Sequence, residues 1–308
     1  MKWLFVIDPL ESLNLSTDST YAIMKEAVLQ GLEVYYCTIQ DLFYKSRIPS
    51  GITKAFSPSD GQQNLPIINT CPLSNFDLIL MRKDPPYDIG YHYATQILSF
   101  VRTRVVNSPT ALRNYNEKLI ILHFPHLIPE TIVTSKEILI LNFLAEHPKG
   151  IVLKSLDSFQ GRLVRWIRDA SPDSIDVIKQ FTHNYTTPVM IQEYLPQVLE
   201  GDKRILVLGG KILGVISRIP KKGSFLANFG QGGTGKATHI TPRDEEIIAG
   251  ISKFLLDNDL HFVGIDVIGN FLTEINITCP TGIVQINTLN NIHVEERIVS
   301  YFREPKFL

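Results

Sequence analysis

The sequence predicts an α/β protein: a parallel α/β unit at the N-terminus, followed by a longer unit with α+β subdomains. Three observations carry that expectation. Lys2 to Ile7 is a short apolar run, STYAIMKEAVLQ is an amphipathic stretch that stops at Gly31, and LEVYYCT (Leu32 to Thr38) is rich in strand formers. Strand, helix, strand in that order implies parallel pairing with a right-handed crossover. Beyond about Lys118 the order changes, and the strands that follow read as antiparallel pairs mixed with single helices.

In the first unit, DLILM (Asp77 to Met81) repeats the strand signal, Tyr91 to Arg102 the helix, and RVVN (Arg104 to Asn107) a short strand. Between these halves, Ser46 to Ser74 is rich in Pro, Ser, Gly and Gln and reads as a long loop. In the second part, helices are expected over Ser135 to Glu146, Ser174 to Thr182, Pro242 to Leu256 and Val294 to Phe302. Strands are expected over Ile151 to Lys154, Leu163 to Ile167 and Val189 to Gln192. Lys203 to Leu208 and Ile212 to Arg218 flank Gly209-Gly210, a two-residue turn of the primed kind.

Composition narrows the function classes. The chain has 308 residues, 44% of them hydrophobic, with 30 Lys and Arg against 31 Asp and Glu. A net charge of -1 gives no case for a nucleic-acid or membrane-surface partner. The apolar start meets Asp8-Pro9 too early for a secretory segment, so a cytoplasmic protein is expected. Cys37, Cys71 and Cys279 share no metal or disulfide spacing and read as reduced thiols.

The stretch FVGIDVIGNFLTEINIT (Phe262 to Thr278) places Asp266, Glu274 and Asn276 in strand segments that disfavour them. If Gly269-Asn270 is a plain two-residue turn, Asp266 faces Thr273 and Glu274 points to the other face. If the loop holds three residues, Asp266 lies opposite Glu274, with Asn276 on the same face. Facing carboxylates need a cation, and two carboxylates with an amide oxygen suit Mg²⁺ bound to phosphate. Polyphosphate in turn needs fixed cations. Lys118 in NYNEKL and Lys154 at the end of GIVLK are the candidates, with PVMIQEYLP (Pro188 to Pro196) placed to serve as a hinge for an adenine edge. His261 reads as a capped or solvated side chain, and Cys279, without a paired His nearby, as no nucleophile.

Taken together these motifs resemble the ATP-grasp ligases, and within them the bacterial type of glutathione synthetase. The resemblance runs almost end to end, through MRKDPPYD (Met81 to Asp88), VVNSP, NEKL, QEYLP, GDKR (Gly201 to Arg204), RIP, GGTG and FVGIDVIG with LTEINIT. It implies an ATP-grasp fold over residues 118–308, preceded by a pre-ATP-grasp α/β domain over 1–117. A central lid subdomain would span about 125–190 and a C-terminal one about 191–308. The implied activity is an ATP-dependent C–N ligation of γ-glutamylcysteine to glycine through an acyl phosphate, with Mg²⁺ or Mn²⁺. Carried over, Lys118 and Lys154 would bind phosphate, and Gln192, Glu193, Tyr194 and Leu195 would form the adenine hinge. Asp202 would join the nucleotide site, and Asp266, Glu274 and Asn276 would hold the metal. Arg204 and Arg218 would act on the acyl phosphate and carboxylate, and Arg82, Asn228, Cys279 and Thr281 would line the peptide site. A homo-oligomer, tetramer or dimer, is also implied.

The sequence departs from the family pattern in three places. LDSFQGRLVRW (Leu156 to Trp166) stands where the lid is glycine-rich, with Ser158, Phe159 and Gln160 in its tip. Leu226 and Thr234 stand where relatives carry arginines, and Val284 replaces another. These changes leave open a related ligase with another acid and amine, or a nucleotide-binding protein with weakened activity.

Overall fold

A computed structural model describes residues 1–58, 68–157 and 164–307. The lid tip Ser158 to Gln160 lies outside the described residues.

The N-terminal unit contains β1 (Lys2–Val6), α1 (Ser19–Leu29), β2 (Glu33–Cys37), β3 (Leu42–Lys45), β4 (Ile48–Ala55), β5 (Ile68–Pro72), β6 (Leu78–Met81), α2 (Ile89–Leu98), β7 (Val105–Val106) and α3 (Pro109–Asn114). Its sheet runs β3-β4-β2-β1-β6-β7, with β5 on β4. The pairs β1 to β2, β1 to β6 and β6 to β7 are parallel, as the strand-helix-strand order predicts. Helix α1 starts where Asp18 accepts a hydrogen bond from Tyr21 N at 2.7 Å, and the chain turns out of it at Gly31, whose φ is +80°.

Residues 59–67 of the expected loop over Ser46 to Ser74 lie outside the described residues, and its described part is instead largely sheet. Strand β4 pairs antiparallel with β2, β3 and β5. The residues that read as loop formers are packed ones: Ser50 and Thr53 are buried, and a Cβ on Gly51 would lie 3.2 Å from Leu73 Cδ2. Pairing with neighbouring strands overrides composition here.

The central unit contains β8 (Thr131–Thr134), α4 (Glu137–Glu146), β9 (Ile151–Lys154), β10 (Val164–Ile167), α5 (Pro172–Phe181) and β11 (Val189–Glu193). Its antiparallel sheet, β10-β9-β11-β8, encloses a core of its own around Ile140, Leu153, Ile178 and Ile191.

The last unit contains β12 (Asp202–Leu208), β13 (Lys211–Ile219), β14 (Thr234–Lys236), α6 (Pro242–Asp257), β15 (Phe262–Ile268), β16 (Phe271–Asn276), α7 (Ile283–Asn290) and α8 (Val294–Phe302). The sheet order is β14-β13-β12-β15-β16. Gly209 and Gly210, at φ +57° and +74°, form the primed turn between β12 and β13. Thr241 and Asp244 form a capping box at α6. Helix α7 has no counterpart in the expectations: IVQINTLN is rich in β-branched residues and Asn, and Ile283 and Ile286, fully buried, carry it instead. The apolar cores of the N-terminal and last units merge, joining Leu4 and Met81 to Ile265 and Ile277. One cavity lies between the central and last units, and a second where the N-terminal unit meets the last one.

Candidate active site

The β15–β16 register settles the alternatives left open by the sequence. Ile268 pairs with Phe271 across the two-residue turn, and Val267 with Leu272. A bulge then places Thr273 outside the ladder, and Asp266 pairs with Glu274 and Gly264 with Asn276. Thr273 donates its hydroxyl to Asp266 O at 3.1 Å, which holds the bulge.

Two adjoining cavities meet at this hairpin. The first is lined by Lys118, Lys154, the hinge Gln192 to Leu195, Phe225 to Asn228, Thr273 and Glu274. Lys118 caps a 3-10 turn (Leu119–His123) rather than opening a longer helix, and its ammonium sits 3.4 Å from Glu274 Oε1. Lys154 ends β9 and donates to Thr273 O at 3.4 Å. Burial lowers its pKa, with Lys118 adding to the effect and Glu274 opposing it. Gln192 is buried and donates Nε2 to Thr131 Oγ1 at 3.0 Å. Tyr194 stacks on Trp166, centroids 3.8 Å apart, with the Arg168 guanidinium over the other face of the indole at 3.9 Å.

The second cavity, about 120 Å³, is lined by Asp84, Pro85, Glu117, Arg204, Arg218, Asn228 to Gly230, Glu274, Asn276, Thr278, Cys279 and Thr281. Asn228 and Glu274 belong to both cavities. Arg204 and Arg218 stand on adjacent strands and share one acceptor. Arg204 Nε lies 2.5 Å from Asp266 Oδ1 and its Nη2 3.0 Å from Oδ2, while Arg218 Nη2 lies 3.0 Å from Oδ2. Arg218 also pairs with Asp202. Burial would raise the Asp266 pKa, but the two guanidiniums outweigh it and hold the carboxyl below the usual range. Asp202 is pushed up to about 7 by burial and by the charge of Asp266, against the pull of Arg218.

The structure therefore sorts the residues named from sequence. Lys118, Lys154, Gln192, Glu193, Tyr194 and Leu195 converge on the first cavity, and Arg204, Arg218, Asn276, Cys279 and Thr281 on the second. Three do not reach either lining. Asp202 and Asp266 lie beneath it, occupied by the arginines, and Arg82 is buried with its Nε on Thr20 Oγ1 and its Nη2 on Pro280 O. In MRKDPP it is Asp84 and Pro85 that face the cavity. Glu117, which the sequence reading passed over inside NEKL, is half-buried at the cavity wall. Its Oε1 accepts from Ile277 N, Thr278 N and Thr278 Oγ1 at 2.7, 2.9 and 2.8 Å. That clamp fixes the end of β16 against the segment that carries Lys118.

The donor set at the hairpin fits a divalent cation through part of its members. Glu274 and Asn276 open into the cavity, and Asn276 turns its Nδ2 toward Gly264 O and Asp266 Oδ2. Asp266 is spoken for by the guanidiniums. Among the described residues no three His, Cys, Asp or Glu side chains converge as a metal site. His261 is buried and capped by Asp259 and Tyr301, and the Cys279 thiol, raised by burial, donates to Arg82 O at 3.1 Å.

Two lysines and the Gln192 to Leu195 segment at one cavity, an antiparallel central sheet and a second sheet carrying acids and arginines form the arrangement of an ATP-grasp ligase. The solved D-cycloserine synthetase DcsG shares the fold at TM-score 0.68 and 13% identity, over 98% of this chain and 99% of that one. The macrocyclase MdnC of Microcystis aeruginosa gives 0.66 at 15%, over 97% and 98%. The model for the prokaryotic glutathione synthetase N-terminal domain matches residues 1–113, and that for its ATP-grasp domain residues 117–291. A glutathione synthetase of Nitrosomonas europaea is 40% identical over 96% of this chain and 95% of its own length. One of Synechococcus elongatus is 37% identical over 97% of each. The chain belongs to the prokaryotic glutathione synthetase family. It is an ATP-dependent C–N ligase.

Proposed function

We propose that the chain joins γ-glutamylcysteine to glycine, with ATP as the phosphoryl donor. The observation that carries this reading is the junction of the two cavities, where Glu274 and Asn228 face both. An ATP seated on the hinge would direct its terminal phosphate to that junction, and a carboxylate in the second cavity would meet it there. The Cys carboxylate attacks the γ-phosphorus and ADP leaves. The glycine amine then attacks the acyl carbon, phosphate leaves, and the amine gives up a proton.

Positioning and charge stabilisation supply most of the catalysis in phosphoryl transfer. Lys118 and Lys154 would bear on the phosphates, and Leu195 N would donate to the base, because Glu193 N and Tyr194 N already donate to Glu130 O and Gly150 O. The planar forks of Arg204 and Arg218 suit the carboxylate and the acyl phosphate. Glu274 and Asn276, with Asp266 once its guanidiniums turn toward substrate, would hold Mg²⁺ or Mn²⁺. A divalent cation bound there would neutralise phosphate charge. We also place the protein in the cytoplasm. Exposed apolar side chains on the N-terminal unit, including Tyr44, Ile48, Ile89, Tyr93 and Phe100, support assembly as a homo-oligomer, which sedimentation would test.

The test is phosphate release from ATP with Mg²⁺ and γ-glutamylcysteine, with and without glycine, together with product mass. Glycine-dependent release and a glutathione mass are expected. Release only with another acid and amine would refute the substrate assignment.

A further inference from the structure

We propose that Asp84 selects an acid substrate bearing a protonated amine, by pairing with that ammonium at the N-terminal-unit end of the second cavity. The inference rests on the reading of the site above and adds to it the residue that recognises the far end of the acid.

Three carboxylates line this cavity: Asp84, Glu117 and Glu274. Two of them already have partners. Glu274 faces Lys118 at 3.4 Å, and Glu117 takes three donors from Ile277 and Thr278 on one oxygen. Asp84 differs. Of the cations beside it, Lys83 pairs with Asp8 at 3.2 Å, and Arg82 gives its Nε to Thr20 Oγ1 at 3.1 Å and its Nη2 to Pro280 O at 2.9 Å, acting on Asp84 through its charge without an ion pair. Among the described residues, Asp84 forms no ion pair.

Its surroundings favour a cation from outside. Asp84 is half-buried, and that burial raises its pKa, while the Cys279 thiol and the charge of Arg82 hold it down. The charges of Asp18 and Asp8 add to the rise. The loop is fixed, because Asp84 N donates to Asp8 Oδ2 at 2.8 Å and Lys83 Nζ donates to Asp84 O at 2.7 Å. A half-desolvated carboxylate without a counterion is unfavourable, and a ligand ammonium relieves it.

The cavity is polar along its length in a definite order. Cys279 lies beside Asp84, and two residues on, Thr281 O accepts from Arg204 Nη1 at 3.2 Å. Asp84, the carboxylate without an ion pair, thus stands on the N-terminal-unit side of the cavity, and the guanidiniums of Arg204 and Arg218 stand on the side of β12 and β13. That order matches a molecule with an ammonium at its remote end and the reacting carboxylate near the hairpin. The γ-glutamyl group carries such an α-ammonium.

The experiment compares γ-glutamylcysteine with glutarylcysteine, the same acid without the α-amine, in the full-length protein and in Asp84→Asn, at saturating ATP and glycine. The unsubstituted protein should prefer γ-glutamylcysteine. In Asp84→Asn the KM for γ-glutamylcysteine should rise roughly ten- to hundredfold, the worth of a charged hydrogen bond, while the KM for glutarylcysteine and for ATP stays within about twofold. An equal rise for both acids, a rise for glycine alone, or no change would overturn the assignment. Asp84→Glu keeps the charge and must keep the preference. If Asp84→Asn fails to show the ATP-induced thermal shift of the unsubstituted protein, loss of preference in a folded Asp84→Glu overturns the proposal, and its retention supports it. Absence of turnover of γ-glutamylcysteine by the unsubstituted protein would refute the substrate assignment on which the proposal rests. Turnover with an unchanged preference in the variant would refute the role of Asp84 alone.

Discussion

Asp266 and Glu274 stand directly opposite each other across the β15–β16 pair, and each is held by different cations of the same chain. Asp266 takes Arg204 and Arg218, while Glu274 takes Lys118. Facing carboxylates would repel; here a bulge brings them together and three basic side chains compensate them. The two acids nevertheless differ in environment, because Asp266 is sealed and Glu274 is part-exposed to the cavities.

That difference predicts unequal outcomes for two conservative substitutions. Glu274→Gln should abolish ATP turnover and cost less stability than the loss of Asp266, since Glu274 is 22% exposed and pairs with one cation. Asp266→Asn should lose stability as well, by about 3–5 kcal/mol, because two buried guanidiniums would lose their shared carboxylate. Denaturant unfolding beside a phosphate-release assay separates them. Retained turnover in Glu274→Gln would sink the assignment of that residue.

Lys154 sits at the end of β9 with a pKa lowered chiefly by burial. Keeping an ammonium there is unfavourable in the absence of phosphate, so the residue trades stability for function. Lys154→Met should raise the KM for ATP about tenfold or more and leave the unfolding midpoint equal or higher. A destabilised variant with normal ATP affinity would show that the lysine is structural.

The alternation of Ile265, Val267, Ile275 and Ile277 with polar neighbours made the hairpin legible, because a one-face pattern survives any register. The register itself was not legible, since the bulge at Thr273 depends on a contact with Asp266 O that no local propensity encodes. Lys154 and the hinge could be read because each ends a strand, where a side chain leaves the sheet, and Lys118 because it stands at the start of a helical turn. Arg82 and Asp84 could not be ranked, since a charge two residues along a loop points wherever the loop turns. Composition misread β4 and β5, whose Pro, Ser and Gly are accommodated by pairing with neighbouring strands, and gave no sign of α7, which exists because Ile283 and Ile286 are buried.

His261 offers a pH test away from the chemistry. Burial lowers its pKa below the ordinary 6.5, with Arg104 adding and Asp259 opposing. A depressed histidine contributes stability that is fully present above the unfolded pKa and lost as pH falls through the folded one. The melting temperature should therefore fall on acidification below about pH 6.5. His261→Gln should flatten that part of the profile. An identical slope in the variant would assign the acid sensitivity to other groups.

Trp166 provides an optical test of the nucleotide site. The chain has two tryptophans, and Trp3 is fully buried in the N-terminal core, whereas Trp166 stacks on Tyr194 of the hinge. Phe225, from the segment that lines the same cavity, approaches both rings edge-on at 6.2 and 6.4 Å. A base entering beside Tyr194 must alter the surroundings of the indole, so titration with ATP should change tryptophan emission saturably, and Trp166→Phe should remove the change. Trp166→Ala should also weaken ATP binding roughly two- to tenfold, the worth of one aromatic stack, because Tyr194 would lose the surface that orients it. Emission that ignores saturating ATP, or an unaltered affinity in Trp166→Ala, would move the base away from Tyr194 and overturn the hinge assignment.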